Sequence, residues 1–243
     1  GRSPALVLWS LERTGPVRLS DFGLSDLELT QFAVAPRGDG LAFVVNSTTL
    51  VVHRREGREL SLVGRKDLAL RRAMDLEFDP LGRWLAVACS DGSVQLFAPG
   101  APGLGASHVL GGYGGQRNRV AFDPRGRWMA TAGAYSTVTL WSLGASGPTR
   151  RVEIDCPFGT ICDDLTFSAD GEHLLASFER VGLALIEVQT GRCMSHPLGG
   201  SGGRMALADG QGAVLVTTDG WPTRLSLSPD AWAAAALRAA NRN

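Results

Sequence analysis

The feature that most constrains this 243-residue chain is an internal repeat. Residues 74–86 read MDLEFDPLGRWLA, residues 118–130 read NRVAFDPRGRWMA, and the two align without a gap at a spacing of 44. Residues 163–175, DDLTFSADGEHLL, are a third copy, and weaker copies begin at Leu29 and Arg204. An anchoring apolar residue recurs at Phe32, Phe78, Phe122, Phe167 and Leu207. A second series, Trp9, His53, Phe97, Trp141, Ile186 and Ser226, marks a later strand. Four short strands repeating every ~40–45 residues mark a propeller blade, a unit that hides its apolar faces only against neighbouring copies.

Each unit has a local physical reading. Its first strand alternates, as in Leu76 and Phe78 or Val120 and Phe122. Asp-Pro-x-Gly then forms a tight turn, because Pro fixes one backbone angle and Gly accepts a positive φ. A more apolar strand follows (84–88, 128–132), then a second turn such as Ser90-Asp91-Gly92-Ser93, then a third strand (94–97, 138–141). The fourth strand is weakly patterned (59–63, 150–154), as expected at an outer edge.

These residues resemble the WD40-repeat family. The Phe-Asp-Pro-x-Gly-Arg-Trp turn is similar to the family's first turn, and Val138-Thr139-Leu140-Trp141-Ser142 to its Trp-Asp position. The resemblance runs over residues 5–227. It departs in two ways: the Gly-His dipeptide before the first strand is missing, and Trp-Asp appears only as Trp9-Ser10 and Trp141-Ser142. The polar network of typical blades is therefore expected to be mostly absent, with Phe, Leu, Val and Trp packing in its place. The resemblance implies an all-β propeller of about five recognisable blades plus a partial one. It implies a role in binding proteins or peptides, with no catalytic step and no cofactor.

Units 29–63, 74–110, 118–154 and 162–196 are complete, residues 204–227 supply three strands, and residues 5–20 supply a third and a fourth strand. Three strands plus two exceed one blade, so either the ring closes irregularly or, the reading preferred here, further blades lie N-terminal to Gly1. Residues 1–227 are read as propeller blades and residues 228–243 as a C-terminal capping helix. Ser228 is the cap of that helix, Pro229 its first residue and Asp230 its first-turn acid. The alanine-rich run from Trp232 resembles the helix after the last blade in large bacterial multidomain WD40 proteins. There the propeller is joined to an N-terminal effector or signal-transducing NTPase module. That resemblance implies a sensor or scaffold end of a bacterial signalling or defence protein. An enzyme with its site in the central channel, or an autoinhibitory structural module, are the rival readings.

Composition narrows the partners. Lys plus Arg (24) equals Asp plus Glu (24), so the net charge of zero gives no general attraction to nucleic acid or an anionic membrane. No apolar run reaches 18 residues and no signal peptide opens the chain, so a cytoplasmic location is expected. Cys89, Cys156, Cys162 and Cys193 include no Cys-x-x-Cys pair, which argues against a zinc site. Cys156 and Cys162 would bridge only if their connection folds back. His53, His108, His173 and His196 fall at non-equivalent positions and do not converge as metal ligands. Gly199-Gly200-Ser201-Gly202-Gly203 matches the Gly-x-Ser-x-Gly pattern but precedes a first strand, so Ser201 reads as part of a connection and not as a nucleophile.

The candidate site follows from propeller geometry. Residues at the start of each first strand ring one mouth of the channel: Asp75, Arg119, Asp164 and Arg204. Alternating charge suits polar contacts with a protein or peptide and disfavours a divalent cation. The alternative is that these residues pair across blades and close the mouth. Loops after the second strands face the same way and carry Tyr135, Arg180 and Trp221, residue types that commonly anchor interfaces.

Overall fold

The computed structural model describes residues 6–12, 15–22, 28–57, 59–69, 71–100, 104–111, 118–178, 182–197, 203–209, 212–217 and 222–226. They form a series of antiparallel sheets, each made from strands consecutive in the chain. Blade one is a pair, β1 (Leu6–Glu12) and β2 (Gly15–Phe22). Blade two holds β3 (Leu29–Val34), β4 (Gly40–Val45), β5 (Thr49–Glu56) and β6 (Glu59–Asp67). Blade three holds β7 (Ala73–Phe78), β8 (Leu85–Cys89), β9 (Val94–Phe97) and β10 (Ala106–Leu110). Blade four holds β11 (Arg119–Phe122), β12 (Trp128–Ala132), β13 (Thr137–Gly144) and β14 (Gly147–Asp155). Blade five holds β15 (Cys162–Phe167), β16 (His173–Phe178), β17 (Gly182–Glu187) and β18 (Cys193–Pro197). Blade six has three strands, β19 (Gly203–Asp209), β20 (Gly212–Thr217) and β21 (Pro222–Ser226). The expected C-terminal helix lies outside the described residues.

The first strands stand side by side: β3 neighbours β7, β7 neighbours β11, β11 neighbours β15, and β15 neighbours β19. Four-stranded sheets stacked by their first strands are the expected propeller. β2 lies beside β6, the outermost strand of blade two. That is the place of a fourth strand, as the sequence indicated for residues 5–20.

Strand alternation explains the stacking. Side chains of period two give every sheet two apolar faces. In blade three, Leu76, Phe78, Leu85, Val87, Cys89 and Phe97 pack back onto Ala42, Val44, Leu50 and Val52 of blade two. The intervening Ala86, Ala88, Val94 and Leu96 pack forward onto Val120, Phe122, Met129 and Trp141 of blade four. Leu165, Phe167, Leu174 and Ile186 of blade five close onto Ala130, Val138, Leu140 and Ile154. Apolar packing thus joins the blades, and within blade four Trp141 Nε1 donates to Thr131 Oγ1 at 3.0 Å.

The first turns share one geometry. Asp79 N–H bonds Trp84 O, Asp123 N–H bonds Trp128 O and Ser168 N–H bonds His173 O, each at 2.9 Å, with Gly82, Gly126 and Gly171 at positive φ. Asp79 and Asp123 are fully buried. Their carboxylates accept backbone N–H groups of Arg83 and Trp84, and of Arg125 and Arg127, which satisfies the turn from inside. Arg83 Nη2 then reaches Gly126 O of the next blade at 2.6 Å.

The same bonds correct the repeat register of blade two. Ala35 N–H bonds Gly40 O, and Val34 pairs with Leu41 as Phe78 pairs with Leu85. Val34, not Phe32, therefore holds the anchoring position. Phe32 stands where Leu76 and Val120 stand. A shift of two preserves the face of a strand, so the alternation of residues 29–34 fits either frame.

Candidate functional site

In the corrected register the third residue before each anchor is Gln31, Asp75, Arg119 or Asp164. Asp75 and Glu77 point to the face opposite Leu76 and Phe78, towards blade four. Asp75 Oδ2 accepts the N–H of Val120 at 3.1 Å, and Glu77 Oε1 accepts the N–H of Phe122 at 3.5 Å. These two N–H groups lie on the edge of β11 away from β12, so without side-chain acceptors they would be left unpaired. Arg119 spans three blades: Nε donates to Asp163 O at 2.5 Å and Nη1 donates to Met74 O at 3.1 Å. Met74 O also accepts Gln31 Nε2 at 3.1 Å. Asp164 Oδ1 accepts the N–H of Leu165 at 3.1 Å.

The mouth is thus a bonded belt. Asp75, Arg119 and Asp164 are brought together, but Asp75 and Arg119 are spent on neighbouring backbone and brace the channel wall. Gln31 and Glu77 belong to the belt and were missed from sequence. Gln31 was hidden by the two-residue offset in blade two, and aligning Pro36 and Gly38 with Pro80 and Gly82 would have recovered it. Glu77 read as an ordinary polar residue between Leu76 and Phe78. A charge at the place where blade four has Ala121 was the available signal.

Burial dominates the electrostatics. It raises Asp75 above the usual carboxylate range, with Arg119 pulling down and Asp164 pushing up. Burial, reinforced by the charges of Asp75 and Asp164, pushes Glu77 up to about 8. No group of three or more His, Cys, Asp or Glu among the described residues could hold a metal ion.

Above the belt lie the turns that follow the second strands. Asn46, Ser47, Tyr135 and Ser136 all have positive φ. Each turn grips a connection between blades. Asn46 Oδ1 accepts Glu28 N–H, Ser90 Oγ accepts Arg72 N–H and Ser136 Oγ accepts Thr160 N–H, at 3.1, 3.2 and 2.8 Å. The grip in blade four is the tightest. Ser136 N–H and Oγ both donate to Thr160 O at 2.9 Å, and Ser136 O accepts Cys156 N–H at 3.0 Å. Ser136 is fully buried while its neighbour Tyr135, at φ 68°, is 78% exposed. A large aromatic thus stands in solvent in the left-handed region, where non-glycine residues are uncommon. Arg180 and Trp221 lie outside the described residues. Arg204 is placed by its backbone in β19, opposite Val216.

On the opposite face, blade two has Gly40 where blades three and four have Trp84 and Trp128. The missing side chain leaves a shallow cleft of about 160 Å³ lined by Gly40, His53, Arg54, Phe78 and Leu81. No helix among the described residues is long and apolar enough to cross a membrane.

Residues 32–99 match the family model described as the anaphase-promoting complex subunit 4 WD40 domain, and residues 107–142 match the WD domain, G-beta repeat. No curated protein matches the chain. The first match covers most of blades two and three, and the second runs from β10 to the middle of β13. With the repeated sheets, these two matches support a WD40-repeat family for this part of the chain, and WD40 repeats indicate a protein-interaction or scaffold module.

Proposed function

We propose that this chain is a non-catalytic recognition module that captures a protein or peptide at the channel mouth, over the turns that follow the second strands. The observation that carries this reading is Tyr135, exposed and held at positive φ by the buried, four-bonded Ser136 beside it. A pre-ordered aromatic loses little freedom on binding, which is what an interface anchor needs. The mixed charge of Asp75, Arg119 and Asp164 supplies a polar surround; by their places in the sequence repeat, Arg204, Arg180 and Trp221 would extend it. The belt bonds give Asp75 and Arg119 a bracing task as well, so Tyr135 carries more of the recognition than they do.

The finer role we propose is the sensor or scaffold part of a larger bacterial signalling or defence protein acting in the cytoplasm. Propeller blades would occupy residues 1–227 and a capping helix residues 228–243. The partner would include an N-terminal effector or NTPase domain of the same polypeptide. The test is quantitative capture of partners by the wild-type chain and by Tyr135→Ala. Capture should fall at least ~10-fold while the unfolding midpoint stays put, as for an exposed hot spot. If Tyr135→Ala, Asp75→Asn, Arg119→Gln and Trp221→Ala together leave every partner bound, the mouth is not the recognition surface.

A further inference from the structure

Three of the four thiols gather in one apolar cluster between blades four and five. Cys156 and Cys162 are buried there, and Cys193 packs against them. The sulfurs of Cys156 and Cys193 lie 3.5 Å apart, in hydrogen-bond contact. Cys162, the partner that the spacing of the sequence offered to Cys156, instead donates its thiol to Asp164 O at 3.4 Å. A disulfide needs the sulfurs at ~2.05 Å, so closure asks for a shift of only about 1.5 Å, within reach of side-chain rotation. Cys193 is partly exposed and Cys156 is not.

We propose that Cys156 and Cys193 form a two-thiol redox site that closes to a reversible disulfide when it meets hydrogen peroxide. Exposure makes Cys193 the attacking sulfur. Its thiolate attacks one peroxide oxygen, the O–O bond breaks, and the departing hydroxide takes a proton and leaves as water. The sulfur of Cys156 then attacks the Cys193 sulfenic acid, the S–O bond breaks, and the oxygen leaves as a second water with the Cys156 proton. Two thiols and one peroxide become one disulfide and two waters. The hydrogen bond between the thiols supports this division of labour. It holds Cys193 below the usual thiol range and, with burial, pushes Cys156 well above it.

The bridge would join residues 37 apart in sequence, linking the end of β14 to the first residue of β18. It staples two neighbouring blades at their outer strands. It also fixes the residue whose N–H holds the Ser136 carbonyl, directly behind Tyr135.

The experiment uses the full chain, reduced, freed of reductant, exposed to a few equivalents of hydrogen peroxide, then unfolded in guanidinium and blocked with N-ethylmaleimide so that buried thiols are reached. Peptide mass spectrometry should find Cys156 joined to Cys193, with Cys89 and Cys162 alkylated. The thermal midpoint should rise by about 5 °C or more and return with dithiothreitol, since closing a loop of this length removes unfolded-state freedom. Cys193→Ser should lose both the bridge and the rise; Cys162→Ala should keep both. Four alkylated thiols after peroxide, a sulfinic or sulfonic Cys193 with no bridge, or a bridge through Cys162 would each overturn the proposal.

Discussion

Blades two and three have the same four-strand order, yet their leading faces live in different surroundings. In blade three, Leu76 and Phe78 are each 6% exposed because blade two stands before them. In blade two the equivalent Phe32 and Val34 are 61% and 48% exposed. The turn differs as well. Blade three has the buried Asp79 with its ring of N–H donors, whereas blade two has Ala35 and a turn held by backbone bonds alone. The comparison teaches that the same strand pattern becomes core only where a neighbouring blade covers it.

The largest test of that contrast is truncation of the anchors. Phe122→Ala should cost about 3–5 kcal/mol, the usual loss for a buried Phe, while Val34→Ala should cost less than about 1 kcal/mol. Urea unfolding of the two variants measures the gap, and equal losses would mean that the Val34 face is covered in solution. Next in size, Asp79→Ala removes the acceptor of two turn N–H groups and a partner of Arg83. A loss of about 2–3 kcal/mol is expected from the stranded donors.

Glu77 gives a pH-dependent test. Its folded pKa of about 8 lies above its ordinary 4.5, so between these values the folded protein holds a proton that the unfolded chain has released. Stability should therefore fall as pH rises through that window and level off above it. Glu77→Gln keeps the acceptor for Phe122 and should flatten the decline, leaving the variant more stable than wild type near pH 9. The smallest effect comes from transplanting the missing cap. Ala35→Asp should stabilise blade two by about 1 kcal/mol or less, in the range of other side-chain caps. A loss would show that the two turns differ by more than this residue.

Much of the fold was legible because its determinants are local. Pro-x-Gly turns and alternating strands recur at a spacing that survives substitution, so the units 29–63, 74–110, 118–154 and 162–196 fall on the four-stranded sheets. The anchor of blade two was misplaced because Phe32 and Val34 share a face, and hydrophobicity alone favours the larger residue. The candidate mouth was legible as positions but not as bonds. That Arg119 reaches Met74 and Asp163 depends on the stacking of three sheets, which sequence spacing does not encode. The contact of Cys156 with Cys193 was hidden for the same reason, since it joins outer strands of adjacent blades.

The side-chain belt on the first strands limits what the channel can recruit. An exposed strand edge normally invites an extended peptide to add as one more strand, matched amide for amide. Here the outward amides of Val120 and Phe122 are already occupied by Asp75 and Glu77. At blade four, then, β-augmentation along the inner edge is closed to a ligand. Whatever docks over this part of the mouth must be read by its shape and side chains from above, which favours a folded epitope or a turn over a linear peptide threading the axis.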